Sequence, residues 1–95
     1  MKATLAFHDK QALADGAIIE MTIWQLAAPV LGSEHRFKYS LYYGLNGQRI
    51  VGYDNERGKG DHKHINGKQQ QYRFKTVELL MADFLAEVHR VRGER

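Results

Sequence analysis

The segment Tyr53-Asp54-Asn55-Glu56-Arg57-Gly58-Lys59-Gly60-Asp61-His62-Lys63-His64 gathers carboxylates, cations, imidazoles and glycines within a dozen positions. Core packing has no use for that mixture. Histidine exchanges protons near neutral pH, and Lys and Arg attract phosphate. If Asp61 to His64 is extended, His62 and His64 point one way and Asp61 and Lys63 the other. Two chemistries use such a His-x-His pair. One is acid–base work on RNA. One imidazole takes the 2′-OH proton, its protonated partner supports the leaving oxygen, and Arg57, Lys59 and Lys63 hold phosphate charge. Asp54 or Asp61 then orients an imidazole. The other is a metal site, with a third ligand from His35, Asp54 or Glu56. A solvated loop produces the same spacing by chance. The metal-free reading ranks first, so neither a metal nor another cofactor is expected.

The glycines of Gly58-Lys59-Gly60 could cradle a phosphate with Lys59 as point charge, or simply make a turn. The spacing is not that of a Walker A loop, so nucleotide hydrolysis is not supported. Asp54-Asn55 reads most simply as an Asx-turn that starts the loop.

These groups need a scaffold. Lys2 to Ala14 reads as a strand, Asp15-Gly16 as a type I′ hairpin turn, and Ala17 to Ala27 as a second strand rich in β-branched and aromatic residues. Pro29 and Gly32-Ser33 interrupt it. From His35 to Gly44 the pattern alternates: Phe37, Tyr39, Leu41 and Tyr43 face one side, with Arg36, Lys38, Ser40 and Tyr42 on the other. Asn46-Gly47 is a strong hairpin signal. A two-residue loop there sets Tyr43 opposite Ile50, Leu41 opposite Gly52 and Tyr39 opposite Asp54. Glu56 to Lys68 reads as a long loop or an irregular β-excursion, and Gln69 to Lys75 as a short strand. Thr76 can cap a helix whose apolar stripe is Val77, Leu80, Met81, Phe84, Leu85, Val88 and Val91. Gly93 is a plausible stop. The expected fold is α+β: an antiparallel five-stranded β-meander with one C-terminal helix packed on a face. Trp24, Phe37, Tyr39, Phe74 and Phe84 read as core.

The chain has 95 residues, read as a single domain over 1–95, with a net charge of +3. Nothing in it reads as a membrane span or signal peptide, and it contains no cysteine, which excludes disulfides and thiolate chemistry. The basic residues lie mainly in the last two thirds, which implies one basic face and a nucleic-acid or acidic partner. An exposed sheet edge allows a homodimer.

Val51-Gly52-Tyr53-Asp54-Asn55 followed by Gly58-Lys59-Gly60-Asp61-His62-Lys63-His64 resembles the TumE-type toxins of bacterial toxin–antitoxin pairs. The resemblance extends to Ile23-Trp24, His35-Arg36-Phe37-Lys38-Tyr39, Tyr72-Arg73-Phe74 and Leu80 to Ala86. It implies a small cytoplasmic toxin whose cognate antitoxin carries a helix-turn-helix DNA-binding domain. It supplies no catalytic set, so the roles above rest on the residues. The readings rank as a metal-independent ribonuclease, a non-enzymatic module that blocks its target through a basic face, and a histidine-based metal-dependent hydrolase.

Overall fold

In the computed structural model, which describes residues 3–93, six strands form one sheet in chain order. They are β1 (Ala3–Ala12), β2 (Ile18–Leu26), β3 (Phe37–Leu45), β4 (Gln48–Asp54), β5 (His62–Ile65) and β6 (Lys68–Gln71), followed by the helix α1 (Val77–Val91). All neighbours are antiparallel. The fold is α+β with one C-terminal helix, but the sheet has six strands where five were expected. The added strand is β5 (His62–Ile65), inside the stretch expected to be a loop or an irregular β-excursion. Its cause is a second Asn-Gly turn. Asn66 and Gly67 have φ of 51° and 82°, both left-handed like Asn46 and Gly47 at 55° and 76°. Two successive left-handed residues make the type I′ turn whose twist suits a hairpin. The expected strand over Gln69 to Lys75 accordingly starts one residue earlier and ends at Gln71. Lys2, expected in the first strand, lies outside the described residues.

Two turn details also differ from expectation. The β1–β2 hairpin closes through Leu13 N–H to the Ala17 carbonyl at 2.8 Å and Gly16 N–H to the Leu13 carbonyl at 3.0 Å. Only Gly16 is left-handed there, and the Asp15 carboxylate accepts from Ala17 N–H at 3.0 Å. The turn is therefore not type I′. The second correction matters more. Leu45 pairs with Gln48 and Gly44 with Arg49, but Tyr43 then pairs with Val51, because a bulge makes Ile50 the extra residue. The expected pairs Tyr43–Ile50, Leu41–Gly52 and Tyr39–Asp54 do not form. Leu41 opposes Tyr53 and Ser40 opposes Asp54. One inserted residue exchanges the two faces of everything beyond it.

The bulge sorts the chemistry. Tyr39, Leu41 and Tyr43 of β3 and Val51 and Tyr53 of β4 are buried beneath α1. Thr76 caps the helix by accepting from Leu79 N–H at 3.0 Å, and Leu80, Phe84 and Val88 form its buried stripe. Phe84 meets the Tyr53 ring edge-on at 5.9 Å. Gly93, with φ of 74°, follows the helix end as the pattern predicts. Asp54 lands on the opposite face of the sheet, which α1 does not cover. No described helix is long and apolar enough to cross a membrane.

Candidate functional site

On the bare face the register lines up His8, Thr22, Ser40, Asp54, His62 and Gln71 in one row across all six strands. His64 sits in the next row, opposite Gly52. Gly52 has no side chain to fill that position, and the Arg49 stem occupies it: a Cβ on Gly52 would come within 2.7 Å of Arg49 Cδ. Arg49 thereby comes close enough to His64 to affect its charge. Burial, helped by the positive charge of Arg49, holds the His64 pKa below the usual imidazole value. His64 thus presents a lone pair at neutral pH.

His62 is the buried member, only 3% exposed. Its Nδ1 lies 3.0 Å from the Gly60 carbonyl, and its Nε2 meets Asp54 Oδ1. A carbonyl only accepts, so Nδ1 carries the proton. Asp54 Oδ1 is itself buried and receives no hydrogen bond: the Nε2 contact brings two atoms together without aligning an N–H on the oxygen. The His62 and His64 rings stand 4.9 Å apart at 83°. One ligand atom from each of Asp54, His62 and His64 lies within 4.8 Å of the others, the one such grouping among the described residues. A cleft of about 230 Å³ adjoins Asp54, lined by Glu56, Ser40, Thr22, Lys38 and Trp24.

Asp61 belongs to a different cluster on the helix side of the sheet. Its carboxylate accepts from Ser33 Oγ at 2.7 Å, Tyr39 Oη at 2.8 Å and His35 Nε2 at 2.5 Å. His35 Nδ1 in turn accepts the Phe37 N–H at 3.1 Å, which settles the tautomer, and its ring stacks on Phe74 at 3.8 Å. Burial and the neighbouring Asp61 push the Tyr39 hydroxyl pKa well above normal. Each polar atom here has its complement, so the cluster ties the 33–37 segment to the start of β5. Asn55, fully buried, adds to that tie. Its Nδ2 donates to the Phe37 carbonyl at 2.6 Å and to Ser33 Oγ at 3.3 Å, and its Oδ1 accepts Tyr39 N–H at 2.9 Å. The side chain spans to β3 instead of closing a local Asx-turn.

The three cations expected to hold phosphate do not gather at His62 and His64. Lys63 points to the helix side and pairs with Glu87 at 3.3 Å, because its neighbours in β5 take the other face. Lys59 pairs with Glu56 at 3.4 Å on the surface, and Arg57 lines a cleft with Leu26, Pro29 and Leu31. Gly58 and Gly60 form no open phosphate cradle. Gly58 N–H donates to the Leu31 carbonyl at 2.6 Å, and a Cβ on Gly32 would sit 2.9 Å from Gly60 N, so the glycines let two backbones touch. Two residues take the places left open. Trp24, read as core, is 38% exposed on the bare face, in register with Lys38. Its alternation with the buried Ile23 and Met21 was the available signal. Arg49 had no local signal, because it reaches His64 only through the bulge and Gly52.

The fold and this site define a small α+β protein with one helix-backed sheet and a histidine–carboxylate group on the bare face. The chain belongs to the toxin family described as Toxin TumE, whose model matches residues 3–92. Membership in a toxin family of this kind implies an antitoxin partner. No curated protein and no solved structure matches the chain.

Proposed function

We propose that the protein is the toxin of a toxin–antitoxin pair and acts in the cytoplasm on RNA, cleaving phosphodiester bonds across the bare sheet face. The observation that carries this reading is the company kept by His64. An imidazole that is neutral at physiological pH, the Arg49 guanidinium, and an exposed Trp24–Lys38 pair share one uncovered face. Trp24 offers a base a stacking surface, and Lys38 and Arg49 offer charge to the phosphates on either side. Asp54, His62 and His64 form the reactive centre. His62 is not a second proton carrier in this reading, since its ring is buried, with Nδ1 bonded to the Gly60 carbonyl and Nε2 shut in against Asp54.

The test is RNA cleavage by purified protein carrying single substitutions. Arg49→Ala and Trp24→Ala are expected to reduce cleavage about 5- to 150-fold, because each removes roughly 1–3 kcal/mol of contact to the substrate. Lys63→Ala is expected to cleave like the unsubstituted protein. A large loss in Lys63→Ala with none in Arg49→Ala would move the site to the other face.

A further inference from the structure

His35 and His62 each lie against a carboxylate, and the two environments differ in one respect. Around His35 the groups are complementary: Nδ1 accepts from an N–H, so Nε2 is the donor and Asp61 the acceptor. Around His62 they are not. Nδ1 faces the Gly60 carbonyl, and in the neutral ring this leaves a lone pair on Nε2. That lone pair faces Asp54 Oδ1, a buried oxygen with no donor aligned on it. Two electron-rich atoms are thus held together, the Asp54 oxygen out of contact with solvent and the His62 ring nearly so. His64 brings a third group, and one ligand atom from each of the three residues lies within 4.8 Å of the others. A cation between them would satisfy every atom. The Gly60 carbonyl would then have the usual place of a group that orients a metal-bound imidazole from behind.

We propose that Asp54, His62 and His64 bind one divalent first-row transition-metal cation such as Zn²⁺ or Mn²⁺. Two imidazoles and a carboxylate suit that class, whereas Mg²⁺ and Ca²⁺ take oxygen ligands. Metal–ligand bonds of about 2.0–2.2 Å put ligand atoms about 3.3 Å apart in a tetrahedral site, so small side-chain rotations close the set. Three protein ligands leave a position open, and the cleft beside Asp54 is where water or a phosphate oxygen would enter it. The site rests on the residues assigned above to RNA cleavage and departs from the metal-free chemistry expected from the sequence. The metal would supply the Lewis acid that a buried His62 cannot replace as a proton carrier.

The test is calorimetric titration of the chelator-treated full chain with ZnCl₂, MnCl₂ and CoCl₂ at pH 7.5. One equivalent of Zn²⁺ or Mn²⁺ is expected to bind and to raise the Tm. Co²⁺ is expected to give the visible absorption of a low-coordinate nitrogen–oxygen site. His62→Ala opens a buried position and risks misfolding. His64→Ala and Asp54→Asn, at partly exposed positions, therefore carry the comparison, with folding checked by circular dichroism. Each is expected to lose at least about tenfold in affinity. No binding by the unsubstituted chain up to about 1 mM metal overturns the proposal, since that corresponds to only about 4 kcal/mol of affinity. Equal binding by both variants also overturns it. RNA cleavage that persists after complete metal removal overturns the metal site and leaves the RNA reading standing. Stoichiometric metal on a protein that cleaves no RNA supports the site and sinks that reading.

Discussion

Replacing Asn55 by Ala should unfold the molecule more readily than any other polar substitution of similar size near the site. The side chain is fully buried, accepts from the Tyr39 N–H at 2.9 Å and donates to the Phe37 carbonyl at 2.6 Å across the gap to β3. Truncation strands both groups. Each stranded buried group costs about 1–3 kcal/mol, and water entering the space recovers part of it, so the expected loss is about 2–4 kcal/mol. For a domain of this size that corresponds to a fall in Tm of about 10–30 °C. Asn55→Asp is the sharper variant. It keeps the shape but sets an ionised oxygen against the Phe37 carbonyl, where the amide donated. A carboxyl in that position is stabilised in its protonated form, so its folded pKa lies above the unfolded one. Its penalty should be largest at neutral pH and smallest near pH 4, the ordinary Asp range. Urea denaturation followed by circular dichroism at pH 7 and pH 4 reads both effects. If Asn55→Ala stays within about 0.5 kcal/mol of the unsubstituted protein, or the Asn55→Asp penalty relative to the unsubstituted protein at the same pH grows on acidification, the strut assigned to Asn55 is wrong.

Two further outcomes follow from the helix and its sheet contacts. Phe84→Ala removes a fully buried ring that meets Tyr53 edge-on, and is expected to cost about 3–5 kcal/mol in denaturant titration; a loss below about 1 kcal/mol would show that α1 is not held by this contact. Glu87 has a pKa below its ordinary value of 4.5: burial opposes the shift, and bonds from Arg90 and Lys63 outweigh it. Its stabilising share is present above about pH 4.5 and is lost as pH falls through the lower folded value. Glu87→Gln should therefore flatten the acid limb of a stability–pH profile, and an unchanged limb would remove Glu87 as its source.

The local chemistry of the chain is enough to place most of the scaffold. The 77–91 helix, its Thr76 cap and its buried Leu80, Phe84 and Val88 follow from spacing and a hydroxyl in the right place. Inward Tyr39, Leu41 and Tyr43 follow from strict alternation, and the Asn46-Gly47 hairpin from a turn that only a few residue types can make. The same rule applied to Asn66-Gly67 yields β5, so that strand too is legible in the residue types. The composition of the Tyr53–His64 segment also marks it for chemistry without any coordinates.

What residue types could not decide is which side of the sheet each group occupies. A bulge between Tyr43 and Gly44 has no local signature, yet it moves Asp54 from the Tyr39 side to the Ser40 side. It thereby separates the segment into two centres back to back: Asp54 with His62 and His64 on the bare face, and Asp61 with His35 and Tyr39 toward the helix. Lys63, one residue from both histidines, is lost to Glu87 for the same reason of alternation. Arg49, fifteen residues from His64, reaches it because Gly52 leaves the space. Turns, caps and periodicity are contacts between near neighbours, and residue types specify them directly. Register is a sum over a whole strand pair, so one inserted residue decided it, and with it which carboxylate stands beside which histidine.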